Sequence, residues 1–331
     1  MTLLDGIIQR AKQSPKRIVL TEGEDQRILQ AAERLSHDKV AEVTVLGNAV
    51  TIADKASSLG LSLSDVSVVD PSESPLRDSL AQLLLELRAK KGMTPETAYE
   101  LAGQPLWFAN LSVKAGHQDG VVSGAIHTTS DVVRAAIQVI GVDKAFNMIS
   151  SFFLMVLDKP HHPRQGGMVF SDCGLVIDPD AKQLAEIASA AANSYQALCD
   201  EPAKMAMLSF STHGSAAHPD VDKVIEATRI VKAARPDLPI DGEVQLDAAI
   251  VPAIAASKIK GSEVNGAANV LVFPSLEAGN IAYKIVERFA GATALGPLLQ
   301  GLAQPANDLS RGCSADDVYY VAAVTVLQAQ A

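Results

Sequence analysis

The sequence is poor in aromatic residues and in positive charge. Aromatic side chains make up 4% of the 331 residues, which argues against the base-stacking platforms that bind single-stranded nucleic acid. The formal net charge of −10 argues against the basic surface that nucleic acids and anionic membranes require. We therefore predict neither a nucleic-acid nor a membrane partner, and an anionic ligand would have to be bound by a local basic cluster.

Long apolar runs and paired cysteines are also lacking. No run approaches the roughly 20 apolar residues that a membrane span needs, and Met1 to Asp5 has neither the basic start nor the apolar core of a signal peptide. Cys173, Cys199 and Cys313 are an odd number without metal-ligand spacing, which is typical of free thiols in a reducing compartment. A cytoplasmic protein without a metal site is expected.

Short apolar runs alternate with helical patterns along most of the chain. The length is typical of two domains, and 48% hydrophobic with 20% charged residues is typical of a globular protein. Apolar runs typical of strands lie at 17–21, 43–47, 66–70, 120–123, 152–157, 168–170, 205–209 and 270–273. Helical patterns lie between them, for example at 25–37, 183–197, 221–234 and 248–258. This alternation predicts an α/β fold with parallel sheets.

Reactive groups are most concentrated in segment 307–317, Asn-Asp-Leu-Ser-Arg-Gly-Cys-Ser-Ala-Asp-Asp. A planar guanidinium such as that of Arg311 binds phosphate through two hydrogen bonds, and the neighbouring Ser310 hydroxyl can donate to charge developing on a carbonyl oxygen. Asp317 has two interpretations. It can complete a helix capping box with Ser314, or it can act as a base, and Asp316 beside it leaves that assignment open.

A second polar segment, Ser123 to Ser130, connects a predicted strand to a predicted helix. Such a loop can offer backbone N–H groups and a helix N-terminus to a phosphoryl group. It is not a P-loop, because the chain has no G-x-x-x-x-G-K-[ST] or G-x-G-x-x-G match. Residues 128–130 could equally be helix caps, and His127 is more typical of a hydrogen-bonded structural histidine.

Several blocks together resemble one enzyme family. They are Val121 to His127, Ser130 to Arg134, Ser209 to Ser215, Asp241 to Glu243, Gly279 to Lys284 and Asn307 to Ser314. Through these blocks nearly the whole chain resembles the phosphotransacetylase (phosphate acetyltransferase) family, in its short form without the extra N-terminal region. Regulation that resides in that region is therefore expected to be missing. The resemblance implies the reaction acetyl-CoA + phosphate = acetyl phosphate + CoA, with coenzyme A as a substrate and no tightly bound cofactor.

The resemblance also implies roles for individual residues. Direct attack by the coenzyme A thiolate in a ternary complex would use Asp317 as the proton acceptor and Ser310 to steady the oxyanion. Arg311, with Arg134, would hold the phosphate. The expected substrate-binding residues are Arg88, Arg134, Ser123, Thr129, Ser130, Asn280 and Lys284. No cysteine lies next to an activating histidine in sequence, so no acyl-cysteine is expected.

The architecture that the resemblance implies is two three-layer α/β domains with mainly parallel sheets and an active-site cleft between them. The first would contain residues 1–145 plus 298–331 and the second residues 146–297, and the protein is expected to be a homodimer. Three alternatives stay open: an acyltransferase for propionyl or butyryl groups, an ethanolamine-utilisation paralogue, and a non-catalytic acyl-CoA-sensing module. The presence of Ser310, Arg311 and Asp317 together argues against the last.

Overall fold

A computed structural model describes residues 2–162 and 164–330 of the chain. In chain order the strands are β1 (Lys16–Leu20), β2 (Ala41–Leu46), β3 (Ser67–Val69), β4 (Gly120–Ser123), β5 (Ser150–Leu157), β6 (Gly166–Ser171), β7 (Met205–Leu208), β8 (Ile240–Val244), β9 (Val270–Val272), β10 (Thr293–Gln300) and β11 (Ala306–Asp308). The helices are α1 (Leu3–Gln13), α2 (Gln26–His37), α3 (Ala49–Leu59), α4 (Arg77–Arg88), α5 (Pro95–Ala102), α6 (Pro105–Lys114), α7 (Thr129–Val139), α8 (Ala181–Cys199), α9 (Pro219–Ala234), α10 (Leu246–Ile250), α11 (Pro252–Lys258), α12 (Leu276–Ala290) and α13 (Ala315–Gln330). A short 3₁₀ turn, Ala89–Lys91, follows α4.

The chain divides into two compact units. One runs from Leu4 to Lys144 and also takes in the chain from Leu302 onward; the other is Ala145–Gly301 with the residues up to Leu3. Each unit is built on one sheet with helices between the strands. The predicted α/β class with mainly parallel sheets is confirmed.

The first unit contains a five-stranded parallel sheet in the order β11-β4-β1-β2-β3. Strand β4 is buried along its whole length, as expected for an interior strand of a parallel sheet that is covered on both faces. Asp308 on β11 pairs in register with Ser123 on β4, and Val122 pairs with Leu20 on β1. Because the carboxyl ends of parallel strands lie at one edge of the sheet, the segments after β1, β4 and β11 are neighbours there.

The second unit contains a six-stranded sheet in the order β10-β5-β6-β9-β7-β8. Strand β5 runs antiparallel to both of its neighbours, and the remaining pairs are parallel. Strand β8 was not among the predicted strands because it contains Asp241, Gly242 and Glu243. Both carboxylates are nevertheless buried, where they accept hydrogen bonds from Ser262 and Ser211 respectively.

One predicted helix is wrong. Residues 248–258 were expected to form a single helix, but α10 ends at Ile250 and α11 begins at Pro252. Proline has no N–H and disfavours helical geometry in the residue before it, and Val251 is accordingly extended at φ −120° and ψ 110°. Within the described residues, no helix is both long and apolar enough to cross a membrane.

Candidate active site

The Ser310–Arg311 turn, residues 309–313, follows β11 directly. The Leu309 N–H donates to the Ser123 carbonyl oxygen at 2.7 Å, and the Cys313 N–H donates to the Ser310 carbonyl oxygen at 2.9 Å, which closes the turn. Ser310 and Arg311 are exposed. Among residues 2–162 and 164–330, no side chain pairs with the Arg311 guanidinium, so it is available to an anion.

Asp317 forms the capping box that its spacing predicted. Its Oδ2 accepts hydrogen bonds from the N–H and the hydroxyl of Ser314, each at 2.8 Å, and its own N–H donates to the Ser314 hydroxyl at 3.1 Å. These bonds involve only one of the two carboxylate oxygens. The neighbouring Asp316 instead forms an ion pair, because its Oδ1 lies 2.6 Å from Nη1 of Arg34.

Arg27 is a residue of this site that the sequence analysis missed. Its Nη1 donates to the carbonyl oxygens of Arg311 at 2.8 Å and Cys313 at 3.1 Å, and its Nη2 donates to that of Ala125 at 2.8 Å. Asp25, the N-cap of α2, orients the guanidinium through bonds of 2.9 Å and 2.8 Å. Arg27 thus joins the Ser310–Arg311 turn to the loop after β4, and its position in an amphipathic helix gave no signal of this.

The 123–128 loop, which runs from the last residue of β4 to the cap of α7, encloses a buried carboxylate rather than presenting its N–H groups to a ligand. Glu22 accepts from the N–H groups of residues 124–127 at 2.9 to 3.1 Å, and its Oε1 lies 2.8 Å from Nδ1 of His127. The prediction that this loop offers its N–H groups to a phosphoryl group is therefore wrong for those four. The prediction of a hydrogen-bonded histidine is confirmed.

The contact between Glu22 and His127 shifts the pKa values of both groups. Burial alone would raise the pKa of Glu22, but the hydrogen bonds from the His127 ring and from the loop N–H groups outweigh burial and lower that pKa. The same contact raises the pKa of His127, because the Glu22 carboxylate favours the imidazolium. An ionised carboxylate therefore lies beneath the loop.

The hydroxyl residues that begin α7 have different partners. Thr128 is the helix cap, since its hydroxyl accepts from the Asp131 N–H. Thr129 donates its hydroxyl to Oδ2 of Asp308 at 2.6 Å. Ser130 is exposed, whereas Ser123 is buried and its hydroxyl has no hydrogen-bond partner among the described residues. Ser130 is thus the most exposed of the three predicted hydroxyl residues, Ser123, Thr129 and Ser130.

Asp308 is fully buried at the end of β11. Its Oδ1 has no hydrogen-bond partner within residues 2–162 and 164–330. Burial raises the pKa of Asp308 to about 7, and the negative charge of Glu22 acts in the same direction, although the Thr129 hydroxyl opposes it. In the sequence Asp308 was only a member of a motif, without a role.

The predicted basic residues differ in how they are held. Arg134 on α7 is exposed and pairs with Asp131 at 3.0 Å. Arg88 ends α4, a helix that contacts α7, and its buried Nε has no partner in the part of the chain that the structure describes. Both belong to the unit that contains Ser310 and Arg311.

Asn280 and Lys284 belong to the other unit. They lie one turn apart on α12, as predicted, and Nζ of Lys284 donates to Oδ1 of Asn280 at 2.7 Å. The Asn280 amide donates to the Cys173 carbonyl oxygen at 3.0 Å. The two side chains therefore form one polar group on α12.

The Cys173 and Cys313 thiols are poorly suited to nucleophilic attack. Burial raises the pKa of Cys313 to about 11, although Arg27 acts in the opposite direction, and burial raises the pKa of Cys173 well above its usual value. A protonated thiol is a weak nucleophile. Among the residues that the structure describes, no group of three or more His, Cys, Asp or Glu side chains is arranged to hold a metal ion.

An exposed hydroxyl and guanidinium, followed by a carboxylate at a helix start, lie together at the edge of an α/β sheet, an arrangement that is chemically suited to group transfer with anionic substrates. Residues 2–326 match the family model described as "Phosphate acetyl/butaryl transferase", and the chain belongs to that family. The resemblance inferred from the sequence motifs is thereby confirmed.

Relatives match along the whole chain. A phosphate acetyltransferase of Clostridium acetobutylicum is 46% identical over 330 residues, covering 100% of this chain and 99% of its own length. One from Bacillus subtilis is 44% identical over 313 residues, covering 95% of this chain and 94% of its own length.

Solved structures show the same fold. A phosphotransacetylase from Streptococcus pyogenes has a TM-score of 0.93 at 42% identity, covering 99% of this chain and 98% of its own. The EutD phosphotransacetylase from Staphylococcus aureus has a TM-score of 0.90 at 42% identity with the same coverage. A branched-chain phosphotransacylase from Enterococcus faecalis has a TM-score of 0.68 at 19% identity, covering 95% of this chain and 99% of its own, and shows the fold alone.

Proposed function

We propose that this protein is a phosphate acetyltransferase, which catalyses acetyl-CoA + phosphate = acetyl phosphate + CoA. The observation that carries the proposal is the exposed Ser310–Arg311 turn, in a chain that is 46% identical to a phosphate acetyltransferase along its length. Coenzyme A is a substrate here and leaves after each turnover. A cytoplasmic location stays a prediction.

The reaction proceeds by direct transfer in a ternary complex. In the direction from acetyl phosphate to acetyl-CoA, the coenzyme A sulfur attacks the acetyl carbonyl carbon. A C–S bond forms, and the bond between the carbonyl carbon and the phosphate oxygen breaks. Ser310 donates a hydrogen bond to the oxyanion, and Arg311 with Arg134 holds the phosphate that leaves. No described side chain pairs with the Arg311 guanidinium, and this supports the assignment, because a planar guanidinium can bind two phosphate oxygens at once.

Asp317 accepts the thiol proton. Its capping bonds leave one carboxylate oxygen outside the box, whereas Asp316 is ion-paired with Arg34, and this difference supports Asp317 as the base. A thiol near pKa 8.5 and an aspartate near 3.9 differ by about 4.6 units, so proton transfer costs about 6 kcal/mol unless the site narrows the gap. A cation such as Arg311 narrows it by stabilising the thiolate.

Arg88, Arg134 and Ser130 bind the anionic parts of the substrates. Arg88 and Arg134 are the basic groups of the first unit, and Arg88 has a buried Nε that a phosphate oxygen would satisfy. Asn280 and Lys284 form a hydrogen-bonded polar pair on α12 and stay predicted substrate-binding residues. Of the three predicted hydroxyl residues, the exposed Ser130 completes the set, whereas Ser123 is buried and the Thr129 hydroxyl donates to Asp308.

The protein acts as a homodimer through α12. Ile281, Ile285 and Phe289 are spaced four residues apart on one face of that helix and are 58%, 51% and 88% exposed. An exposed apolar stripe of this kind is typical of a protein interface.

Phe289→Glu should convert a dimer to a monomer in light-scattering chromatography, whereas Val50→Glu, at an exposed apolar position in the other unit, should not. A wild-type monomer would refute the dimer.

The function is tested by measuring thioester formation from coenzyme A with acetyl, propionyl and butyryl phosphate. The expected result is the highest kcat/KM with acetyl phosphate. A higher value with butyryl phosphate would replace acetyl transfer by transfer of longer acyl groups. Absence of turnover with all three, in a protein that binds acetyl-CoA, would instead support a sensing module.

A further inference from the structure

Three buried side-chain atoms for which the described residues offer no hydrogen-bond partner lie at the carboxyl ends of adjacent strands. They are Oγ1 of Thr21, Oγ of Ser123 and Oδ1 of Asp308, each in a residue that is at most 1% exposed. Ser123 and Asp308 are in register on β4 and β11, so their side chains are on the same face of the sheet. Buried polar atoms without partners are uncommon, and three of them at the ends of adjacent strands indicate that they serve one function.

Asp308 is the member of this group that can gain a proton. An ionised carboxylate with an unsatisfied buried oxygen is costly, and a second carboxylate close by adds repulsion. Glu22 is that second carboxylate, and its five hydrogen-bond donors keep it ionised. The titratable and charged groups near Glu22 include His127, which contacts it, and the Arg27 guanidinium with its partner Asp25. The neutral acid thus suits Asp308, because protonation removes the charge from a carboxyl group that has an unsatisfied oxygen.

Asp308 also lies between the parts of the site that must be aligned. Its Oδ2 accepts from Thr129 at the start of α7, and the next residue, Leu309, begins the Ser310–Arg311 turn. Gly124 lies against the same carboxyl group, since a Cβ there would overlap Oδ1 of Asp308 and would come within 2.7 Å of the Leu309 backbone. No other residue type fits this approach, and φ of Gly124 is +109°.

We propose that Asp308 is a positioning residue, which as a neutral carboxylic acid holds the start of α7 and the 123–128 loop against the Ser310–Arg311 turn. Thr129 is then a partner of Asp308 rather than a ligand of the substrate. The proposal rests on the acetyltransferase function of the same site. The pKa of Asp308, raised to about 7, places its ionisation near neutral pH.

The test compares wild type with Asp308→Asn, since an amide has the shape of the neutral acid and cannot ionise. The kcat ratio of variant to wild type cancels the ionisation of the thiol and of Asp317, which both enzymes share. This ratio should rise about tenfold between pH 6 and 8 as Asp308 ionises in the wild type alone. Asp119→Asn, which removes a carboxylate paired with Arg17 outside the site, should give a flat ratio. A flat or falling ratio for Asp308→Asn would overturn the proposal.

A second variant keeps the test decisive if Asp308→Asn does not fold. Thr129→Val should lower kcat and leave KM for acetyl phosphate within about twofold, and Thr129→Ser should restore kcat because it restores the hydroxyl. A raised KM with normal kcat in Thr129→Val would make Thr129 a substrate ligand and refute the positioning role.

Melting curves separate this proposal from the proposed function. Because the folded pKa of Asp308 is raised, its stabilisation is fully present below its unfolded pKa of about 3.9 and is lost as pH rises through about 7. The difference in Tm, Asp308→Asn minus wild type, should therefore increase as pH rises from 5 to 8. If the wild type lacks transferase activity but this trend holds, the function fails and the neutral Asp308 stands. A constant Tm difference would refute the neutral acid.

Discussion

Nη1 of Arg27 lies 2.8 Å from the carbonyl oxygen of Arg311 and fixes the backbone of a residue whose own side chain is exposed. Arg27 and Arg311 thus have different roles. One uses its guanidinium to hold the turn in place, and the other keeps its guanidinium available to an anion. The same Arg27 group reaches Ala125, so the turn and the 123–128 loop are fixed to each other.

Arg27→Lys is expected to lower kcat by about tenfold or more while leaving KM for both substrates nearly unchanged. Lysine keeps the charge, but a single ammonium cannot reach three carbonyl oxygens and Asp25 in the way that a fork of N–H groups does. Steady-state kinetics of the purified variant would measure this.

The matched control is Arg17→Lys. Arg17 also forms a two-bond ion pair, with Asp119, but it lies near the start of β1 rather than beyond its end. A similar kcat loss in both variants would mean that the effect comes from general destabilisation. A large rise in KM for Arg27→Lys alone would mean that Arg27 touches the substrate.

Arg311→Lys is expected to reduce kcat/KM for the phosphate-side substrate by more than tenfold, about 1.4 kcal/mol or more, because lysine loses the two parallel hydrogen bonds to phosphate. Since no described side chain holds the Arg311 guanidinium, the melting temperature should barely change. Initial rates at varied acetyl phosphate concentration would check the first expectation. Near-normal kinetics would remove Arg311 from the site.

The sequence predicted those parts of the site that adjoin one another in the chain. The Ser314 to Asp317 spacing predicted the capping box, and Asn280 to Lys284 the shared face of a helix, because both depend on a single helical turn. Arg27 could not be found in this way, since it and Arg311 are 284 positions apart and meet only when β1, β4 and β11 align.

The wrong prediction for the 123–128 loop has a similar cause. Small residues between a strand and a helix indicate available N–H groups, but they do not indicate what will bind them. Here the ligand is internal, because Glu22 follows β1, which pairs with β4. The raised pKa of Asp308 likewise follows from burial and from Glu22, which the local sequence does not show.

A variant with Cys173, Cys199 and Cys313 all changed to Ser or Ala is expected to keep most of its activity if it folds. Burial raises the pKa of Cys313 to about 11, so its thiol stays protonated near neutral pH and is a poor nucleophile. Mass spectrometry after exposure to acetyl phosphate alone should find no acetylated enzyme. A trapped acetyl-cysteine would replace direct transfer by a two-step mechanism.

Asp317→Asn separates the two roles that Asp317 can have. The asparagine carbonyl oxygen can still accept from the Ser314 N–H and hydroxyl, so a residue that only caps α13 should lose about 0.5 to 1 kcal/mol of stability and keep its turnover. Asparagine cannot accept the thiol proton. Because general-base catalysis contributes about 10² to 10⁴-fold, kcat near neutral pH should fall by that factor.

The pH profile of Asp317→Asn makes the assignment specific. As pH rises toward the thiol pKa of about 8.5, coenzyme A supplies its own thiolate, so kcat of the variant should recover relative to wild type. Asp316→Asn breaks the ion pair between Asp316 and Arg34, and it tests the carboxylate next to Asp317 in the same assay. If Asp317→Asn folds with normal kcat while Asp316→Asn loses it, the base is Asp316 and Asp317 is a helix cap.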